Sequence, residues 1–453
     1  MKIIVFDDDP TGSQTVKGCL LLLKWDYHTL LKGLRSKSNL LFILANTRSL
    51  SENEAKARLK EICQSLLYVF VHEGYKKEDF IFVSRGDSTL RGHNFIEPDV
   101  INNELGPFDA TFHIPAFLEG NRVTVNGRHF VDNIPAHQTI FAKDKIFGYE
   151  TNDIRKVLYK KSNSKIQLKD IKNLFISDLR NLEMSKANKV FENIFSLKNN
   201  VQIIVDAEEY SHLNKISNLV KELRLRKRFL FRTAASFLSS ISNTNGSIKD
   251  HKYSSNLKRK NRKDELMNGL IVVGSFLQNA NDQLKQILGN SLCKGIELNV
   301  FEFVRLIYLD ENKKGLLKLK LSLLDQIRNH LKNSYTPVLY TSRELVLLKK
   351  DSDQIFLYNS LSKFIAELIG EISFEIGYLI SKGGITSNTI LSHGLDVDAV
   401  YLEGQILKGI SLVKAKIKKS DEEIAMVTFP GNIGNRNSLL KAWEILEGKH
   451  SSN

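Results

Sequence analysis

The sequence contains little cysteine and no long apolar run. Its three cysteines, Cys19, Cys63 and Cys293, are far apart and form no C-x-x-C pair, so neither a zinc site nor a disulfide framework is expected. Unpaired cysteines favour a reducing compartment, and we therefore predict a cytoplasmic protein. No apolar segment approaches the roughly 20 residues that span a membrane, and the acidic residues 7–9 come too early for a signal peptide.

Several common catalytic and nucleotide-binding motifs are absent as well. No G-x-x-x-x-G-K-[ST] is present, which excludes a P-loop enzyme, and no G-x-G-x-x-G follows the first predicted strand, so a dinucleotide fold of the usual kind is not supported. The sequence also lacks H-E-x-x-H and G-x-S-x-G, the signatures of zinc proteases and of α/β-hydrolases. A nucleotide, if bound, must be held by another kind of loop.

Basic residues are in excess, with a formal net charge of +14 and a pI near 9.4. Most lysines and arginines are dispersed, as on a solvated surface, so we expect neither a nucleic-acid partner nor a membrane partner. One basic run, residues 258–263, follows a stretch rich in Asn, Ser and Gly. A nucleic-acid patch is the less favoured interpretation of this run, because aromatic side chains do not closely interleave with it.

The pattern of elements predicts an α/β fold. At 453 residues the chain exceeds one ordinary core, and 42% hydrophobic with 26% charged residues is typical of a globular protein. Short apolar strands alternate with amphipathic helices, which predicts two α/β domains with largely parallel sheets. We place these domains at residues 1–242 and 266–453, joined by an exposed basic linker at 243–265.

The predicted strands include residues 3–6, 18–23, 40–44, 80–83, 110–114, 201–205, 229–231, 270–273, 338–340, 378–380 and 424–429. Ser51 and Glu54 form a capping-box pattern that opens a helix, and Gly74 is placed to end it. The pair Asn126-Gly127 predicts a tight hairpin turn.

A dense set of polar residues follows the predicted strand at 80–83. Ligands bind at the carboxyl ends of strands in open α/β sheets, so this position favours a binding site over a plain capped turn. Arginine forks suit carboxylate or phosphate oxygens, and Asp, Ser and Thr suit sugar hydroxyls. The predicted substrate-binding residues here are Arg85, Asp87, Ser88, Thr89, Arg91 and His93.

Three carboxylates and a hydroxyl follow the first strand, at Asp7, Asp8, Asp9 and Thr11. Adjacent carboxylates repel one another, so a magnesium ion, a bound polyol or a nearby arginine is needed to offset them. We predict a functional cluster here, with Asp7, Asp9 and Thr11 as substrate-binding residues, and an acidic turn is the alternative. Farther along, Glu119 and Arg122 fit a surface ion pair as well as a ligand contact.

Two glycine-rich turns follow strands in the second half, K-G-G-I-T-S at 382–387 and F-P-G-N-I-G at 429–434. Glycine lets backbone N–H groups approach a phosphate, and the helix start that follows favours an anion. The pattern therefore predicts phosphate binding, with a tight strand-to-helix turn as the alternative.

Taken together, the motifs resemble those of the four-carbon acid sugar kinase family, whose members phosphorylate acids such as threonate, erythronate or 3-oxo-tetronate with ATP. The matching segments occur in the family's order and span nearly the whole chain. They are D-D-D-P-T-G-S-Q-T-V at Asp7, S-R-G-D-S-T-L-R-G-H at Ser84, P-A-F-L-E-G-N-R-V-T-V at Pro115, F-G-Y at Phe147, R-T-A-A-S-F at Arg232, V-V-G-S at Val272, T-S-R-E-L at Thr341, K-G-G-I-T-S at Lys382, G-Q-I-L-K-G at Gly404 and F-P-G-N-I-G at Phe429.

The resemblance implies an amino-terminal sugar-acid domain and a carboxyl-terminal ATP domain, with the active site in the cleft between them. Asp8 is the expected proton acceptor, with Asp7, Asp9 and Asp87 left open, and Arg85 or Arg91 is expected to clamp the substrate carboxylate. ATP and magnesium (Mg2+) are the expected cofactors, the metal-binding residues stay unassigned, and a homodimer is left open. Together with the glycine turns, the resemblance assigns ATP to Ser275, Gly383, Gly384, Ile385, Thr386, Ser387, Gly431 and Gly434.

A rival interpretation is a phosphatase of the haloacid dehalogenase type. The pattern Asp7-x-Asp9-x-Thr11 after a strand fits the first motif of that family, in which the first Asp is the nucleophile and the second the general acid. That family also needs a late acidic pair. Gly86-Asp87 begins one, but Arg91 stands where the second acid is required. The rival also leaves the second half of the chain unexplained.

Overall fold

The computed structural model describes residues 2–9, 15–182, 188–242, 257–275, 278–309, 314–344, 346, 348, 350–418, 422–431 and 433–449. The chain divides into two compact units, Met1–Ser247 and Ile248–Asn453. Each unit contains largely parallel strands with helices packed on them. The α/β prediction with two largely parallel sheets is therefore confirmed.

Eight parallel strands form the main sheet of the first unit, in the order β2-β3-β1-β4-β11-β5-β10-β9. A separate antiparallel sheet contains β6, β7 and β8. The strands are β1 Lys2–Asp7, β2 Cys19–Leu22, β3 Leu40–Leu44, β4 Phe80–Arg85, β5 Ala110–Ile114, β6 Arg122–Val125, β7 Arg128–Val131, β8 Ile134–Pro135, β9 Ile171–Leu174, β10 Val201–Val205 and β11 Phe229–Thr233.

The helices of the first unit are α1 Tyr27–Arg35, α2 Glu52–Glu73, α3 Ile96–Leu105, α4 Ile154–Lys161, α5 Ile176–Arg180, α6 Lys189–Phe195, α7 Tyr210–Leu223 and α8 Ala235–Ser242. The predicted capping box opens α2, where the Ser51 hydroxyl accepts the Glu54 N–H and the Glu54 carboxylate accepts the Ser51 N–H. Gly74 ends the helix in the left-handed conformation, at φ +74°. Both helix-end predictions are confirmed.

Strands in the middle of this sheet are buried along their length, as expected where helices cover both faces of a parallel sheet. In β3 every residue is buried, and Ile3, Ile4 and Val5 of β1 have no exposed surface. The predicted hairpin is also present, with β6 paired to β7 around Asn126-Gly127. The two backbone N–H groups of that turn donate to the buried Asp206 carboxylate at 2.7 and 2.9 Å.

The second unit has a seven-stranded sheet in the order β13-β14-β12-β15-β18-β17-β16. Its first five strands are parallel, and β17 runs antiparallel to β18 and to β16. The strands are β12 Leu270–Val273, β13 Cys293–Leu298, β14 Thr336–Thr341, β15 Tyr378–Lys382, β16 Ala399–Leu407, β17 Ile410–Lys416 and β18 Glu423–Phe429. The helices are α9 Gln278–Leu288, α10 Val300–Leu309, α11 Lys314–Lys332, α12 Asp351–Ile372, α13 Gly384–Thr389 and α14 Ser438–Glu447.

The basic run differs from the exposed linker that the sequence predicts. Residues 243–256 of that linker lie outside the described residues, but 257–265 are described. Lys258 is largely buried and lies 2.8 Å from Glu447, and Arg259 donates to the carbonyl groups of Ser373 and Ile376. The exposed-linker prediction is therefore wrong for these two residues, because their charged groups find partners within the second unit.

Five of the described strands were not predicted from the sequence, namely β8, β9, β13, β16 and β17. Two of them have sequences that are only half apolar. β9 reads I-K-N-L, and β13 reads C-K-G-I-E-L. Both lie at an edge of their sheet, where one side of a strand is less covered. Within the described part of the chain, no helix is long and apolar enough to span a membrane.

Candidate active site

The acidic residues and the arginine loop predicted from the sequence end adjacent parallel strands. β1 and β4 pair in register, so that Asp7 lies opposite Arg85. The next strand on the other side of β1 is β3, which ends at Leu44. Three polar loops therefore lie side by side at the carboxyl ends of these neighbouring strands. We call this group of loops the charged edge of the first unit.

Two arginines offset the buried aspartates. The Arg85 guanidinium lies 2.9 Å from Asp8 Oδ1 and 3.3 Å from Asp7 Oδ1. The Arg48 guanidinium donates to both Asp8 oxygens, at 3.0 to 3.2 Å, and lies 3.2 Å from Asp9. A magnesium ion, a bound polyol or a nearby arginine could offset the repulsion between these carboxylates, and the structure shows nearby arginines. Asp8 is thereby fixed in orientation from two sides.

Arg48 is a site residue that the sequence analysis did not select. It lies in a short 3₁₀ turn, Thr47–Ser49, that follows β3, and its backbone N–H donates to Asp8 O at 3.2 Å. Asn46 enters this turn in the left-handed conformation, which asparagine tolerates better than most residues. Polar residues after β3 were the available signal, but only the sheet order shows that β3 neighbours β1.

Asp7 has fewer hydrogen-bond partners than Asp8. It has no exposed surface, and its Oδ2 accepts no hydrogen bond from the described residues. Burial raises the pKa of the Asp7 carboxyl to about 7, although the nearby Arg85 guanidinium opposes that rise. Asp7 thus stays protonated over much of the acidic pH range, in which an aspartate side chain in water is ionised.

Asp87 is the anion of the loop that follows β4. Its carboxylate accepts from Arg91 at 2.8 Å and from the Thr89 hydroxyl, and it lies 3.8 Å from Arg48. Burial alone would raise the pKa of Asp87, but the guanidinium groups of Arg48, Arg91 and Arg122 lower it well below its usual range. Asp87 therefore stays ionised and fixes the arginines around it.

Arg122 joins this loop rather than forming the surface ion pair that the sequence allowed. Glu119 bonds to the hydroxyl groups of Tyr210 and Ser236 instead. The Arg122 guanidinium donates to the Ser88 hydroxyl and lies over the rings of Phe117 and Phe141. The ion-pair interpretation is wrong, because the turn after β5 directs the two side chains to different partners.

A buried ion pair supports the charged edge from inside the unit. The Arg232 guanidinium of β11 pairs with Glu97 of α3, and Ser84 lies 2.7 Å from Arg232 and 3.1 Å from Glu97. Arg232 also explains why residue 86 is a glycine, because a Cβ at that position would lie 2.3 Å from the Arg232 guanidinium carbon. The loop at Asp87 can follow its path only because residue 86 has no side chain.

The remaining predicted substrate residues serve different purposes. His93 is buried, and its Nε2 lies 3.0 Å from the Leu50 carbonyl oxygen. The Thr89 carbonyl accepts the Tyr149 hydroxyl at 2.6 Å, and the Ser88 carbonyl lies 2.7 Å from His129 Nε2. These contacts fix the shape of the loop. Thr11 lies outside the described residues.

The second unit offers a different kind of edge, made mainly of backbone. Gly274 after β12 donates its N–H to the Lys382 carbonyl, and Gly383 after β15 donates to the Phe429 carbonyl of β18. Gly383 has φ +130°, a conformation that side chains with a Cβ rarely adopt. These turns bring the ends of three parallel strands together. We call them the glycine edge.

Close packing at the glycine edge depends on missing side chains. A Cβ on Gly274 would lie 2.3 Å from the Thr386 hydroxyl oxygen, whereas one on Gly383 would make only ordinary contacts at 3.4 Å or more, so Gly383 is required by its dihedral angle. The Ser387 hydroxyl is buried and bonds to Gly383 O and to Ser381, so its side chain is used within the turn. Ile385 is 58% exposed at the start of α13.

A buried lysine, Lys382, lies beneath this edge. Its ammonium nitrogen lies 2.8 Å from Pro430 O and 3.3 Å from Ile433 O, and 4.0 Å from the centre of the Phe429 ring. Burial lowers the pKa of Lys382 to about 7. The predicted ATP residue Gly431 belongs to this loop, so Lys382 holds the loop through its carbonyl groups.

Gly434 ends the same loop at φ +85°, where a Cβ would lie 2.7 Å from the Ser438 hydroxyl. The Gln283 amide of α9 donates to Ile433 O at 3.2 Å and to Asn435 O at 2.9 Å. The predicted ATP residues Ser275, Gly383, Gly431 and Gly434 thus lie in the loops after β12, β15 and β18, which together form the glycine edge, and the other four lie at the start of α13. Among the described residues, no group of three His, Cys, Asp or Glu side chains is placed to hold a metal ion.

Comparison with protein families agrees with these two edges. Residues 3–241, more than half of the chain, match the model of a sugar-binding N-terminal domain, and residues 270–439 match that of a nucleotide-binding C-terminal domain. Both domains are those of one family. The chain belongs to the four-carbon acid sugar kinase family.

The individual proteins that the chain resembles are distant from it in sequence. D-erythronate kinase from Heliobacterium modesticaldum is 30% identical over 152 residues, which are 31% of this chain and 32% of the relative. The chain thus aligns with about a third of that relative's length. A Haemophilus influenzae protein of the DUF1537 family has a TM-score of 0.64 at 16% identity, covering 98% of this chain and 100% of that one.

A protein of Salmonella typhimurium named as a putative tRNA synthase has a TM-score of 0.69 at 13% identity, covering 97% of this chain and 98% of that one. At such identities the likeness shows the fold alone. Family membership disfavours the phosphatase interpretation, and so does the protonation of Asp7. This residue would have to be the nucleophile, yet burial raises the pKa of its carboxyl to about 7, so that it is largely protonated below neutral pH.

Proposed function

We propose that the protein transfers the γ-phosphoryl group of ATP to a hydroxyl group of a four-carbon sugar acid, with the D-erythronate class as the first candidate. The charged edge carries this proposal, because it places paired aspartates and arginines at the strand ends of the unit matched by the sugar-binding model. The named activity of the Heliobacterium relative supports the substrate class. A small-molecule substrate and a cytoplasmic location remain our expectations.

Asp8 is the proposed proton acceptor for the attacking hydroxyl. Phosphoryl transfer depends mostly on positioning and on charge neutralisation, so a carboxylate held in one orientation by Arg48 and Arg85 suits this role. Arg85 is engaged with Asp7 and Asp8, which makes it a poor candidate to clamp a substrate carboxylate. Asp87 and the hydroxyl groups near it offer acceptors for the sugar hydroxyls.

The glycine edge is the proposed phosphate-binding surface. Backbone N–H groups at Gly384, Ile385 and Thr386 begin α13, and orphan N–H groups at a helix start are suited to anions. Mg2+ would be held chiefly by the nucleotide's phosphate oxygens and would neutralise their charge. Lys382 contributes by holding the Pro430–Ile433 loop in place.

The test is purified protein with ATP, Mg2+ and a panel of tetronic acids that includes both erythronates, both threonates and 3-oxo-tetronate. We expect ADP release that depends on one or two of these acids, and a phosphorylated acid detected by mass spectrometry. Assays with the matching polyols and without acid are the controls. Release of ADP with none of the acids, together with activity on another alcohol, would contradict the substrate class.

A further inference from the structure

Among the arginines of the charged edge, Arg122 differs from the others in its partners. Arg48 and Arg85 pair with the aspartates that follow β1, Arg91 pairs with Asp87, and Arg232 pairs with Glu97. Within the described chain, no carboxylate lies within ion-pair distance of the Arg122 guanidinium. Its hydrogen-bond acceptor is the neutral Ser88 hydroxyl.

The Arg122 side chain is only partly exposed to water. Its Nε is buried and donates to no described residue. The Phe117 and Phe141 ring centres lie 5.6 and 5.7 Å from the guanidinium carbon. Burial lowers the pKa of Arg122 despite the attraction of Asp87. A cation in such surroundings is costly unless an anion or further acceptors reach it.

The backbone fixes this position. Phe117 and Arg122 exchange two backbone hydrogen bonds, at 2.9 and 3.0 Å, across the short turn Leu118–Gly120. Gly120 lets the Phe117 ring pack there, because a Cβ at residue 120 would lie 2.6 Å from that ring. Arg91 shares the Phe141 ring, with its guanidinium carbon 5.0 Å from the ring centre. Two cations therefore flank one aromatic ring, and one of them lacks a carboxylate.

We infer that Arg122 binds the carboxylate of the sugar acid and so determines the preference for an acid over a neutral polyol. This inference rests on the proposed function and makes it more specific. A guanidinium fork matches a carboxylate in geometry and charge, whereas a polyol offers only neutral oxygens. Arg85, expected from the sequence to be one candidate for this contact, is already engaged by Asp7 and Asp8.

The effect should be selective for the acid. A hydrogen bond to a charged group contributes enough that its loss weakens binding about 10- to 100-fold. We expect Arg122→Gln to lower the affinity for D-erythronate by that factor, while the affinity for erythritol changes less than about threefold. Arg122→Lys keeps the charge but loses the fork, so its effect should be intermediate.

The experiment measures binding of D-erythronate and erythritol by calorimetry, without nucleotide, to the full chain and three variants. Arg128→Gln is the matched control, because Arg128 is an exposed arginine of the neighbouring strand β7. Circular dichroism and the melting temperature establish that Arg122→Gln is folded, and Arg122→Lys provides the second measurement. In the kinase assay the loss should appear in KM for the acid, with kcat within a few fold.

The outcomes separate this inference from the proposed function. If the wild-type protein prefers D-erythronate to erythritol and Arg122→Gln removes the preference, the inference stands, even if no phosphoryl transfer is found. Equal weakening of both ligands, or an unchanged affinity for the acid, overturns it. A wild-type protein without any preference for the acid overturns it too. A fall in kcat alone would assign Arg122 to the transferred phosphoryl group, against the inference.

Discussion

The two units place their candidate ligand groups at the same kind of location by opposite means. At the charged edge, side chains provide the chemistry, and four aspartates with four arginines must be packed in mutual contact or proximity. At the glycine edge, backbone provides the chemistry, and the important feature is the absence of Cβ atoms at Gly274, Gly383 and Gly434.

The difference shows what each edge depends on. Buried charges are tolerated only with partners, so the charged edge needs a second layer, including Arg232 and Glu97, that is itself buried. Glycine turns need only space and unusual dihedral angles, so the glycine edge is supported by two basic side chains that bond to its carbonyl groups, Lys382 and Arg343, and by neutral amides such as Gln283. Mutations should therefore act on charge in one unit and on backbone conformation in the other.

The largest expected effect is on catalysis at the charged edge. Asp8→Asn removes the proposed proton acceptor, and we expect kcat to fall about 10²- to 10⁴-fold. Steady-state assays with D-erythronate measure it, and Asp170→Asn, at an exposed position, is the control. If Asp8→Asn keeps kcat within about fivefold while Asp7→Asn abolishes it, Asp7 is the proton acceptor.

The next effect is on stability. Glu97→Gln leaves Arg232 as a buried cation without its carboxylate, and we expect the free energy of unfolding of the first unit to fall by about 3–5 kcal/mol. Urea unfolding followed by tryptophan fluorescence measures it. Glu52→Gln is the control, because its exposed ion pair with Lys56 should contribute less than about 1 kcal/mol. Equal effects of the two variants would contradict the proposed supporting role.

At the glycine edge the expected effect is one of conformation. Gly383→Ala forces a Cβ into a residue at φ +130°, which should cost roughly 1–3 kcal/mol and raise KM for ATP. Affinity for D-erythronate without nucleotide should be unchanged. Gly289→Ala is the control, since a Cβ there has ordinary contacts at 3.4 Å or more and no positive φ. An unaltered KM for ATP would remove Gly383 from the proposed site.

Two further effects concern the pH dependence of stability, and they should have opposite signs in the two units. The folded pKa of Asp7, about 7, lies above its ordinary 3.8, so the folded state binds more protons and stability should fall as pH rises from about 4 to 7. The folded pKa of Lys382, about 7, lies below its ordinary 10.5, so stability should rise between about pH 7 and 10.

Trp25 lies in the first unit and Trp443 in the second. The unfolding of the first unit is therefore followed in a Trp443→Phe background, and that of the second unit in a Trp25→Phe background. Urea midpoints across pH 4–10 measure the two trends. Asp7→Asn should remove the fall in the first unit and Lys382→Met the rise in the second. A trend that survives its variant would assign the proton to another group.

Much of the fold was predictable because the signals are local. The buried strands at 40–44, 110–114, 201–205 and 270–273 were located with their observed ends, since covered parallel strands are continuously apolar. The capping box at Ser51 and the helix end at Gly74 also follow from adjacent residues. The positions of the charged edge and the glycine edge could also be predicted from the sequence, because polar or glycine-rich loops come directly after such strands.

What escaped prediction depends on contacts between distant segments. Arg48 reaches Asp8 because β3 pairs with β1, and Arg122 reaches Ser88 across the turn after β5. Gly86 is explained by Arg232, more than a hundred residues later in the chain. The linker prediction was wrong at Lys258 and Arg259 for the same reason, since composition does not reveal that their partners lie far along the chain.

The sequence by itself determined which residues end strands, which turns require glycine and how the elements alternate, because apolar periodicity and turn chemistry act over a few residues. The tertiary structure decided which charges meet. The strand order brings β3, β1, β4 and β11 together, and the energy of a buried charge depends on the partner that this order supplies. Arg85, Arg91 and Arg122 are alike as residues, and only their neighbours distinguish the arginine that lacks a carboxylate.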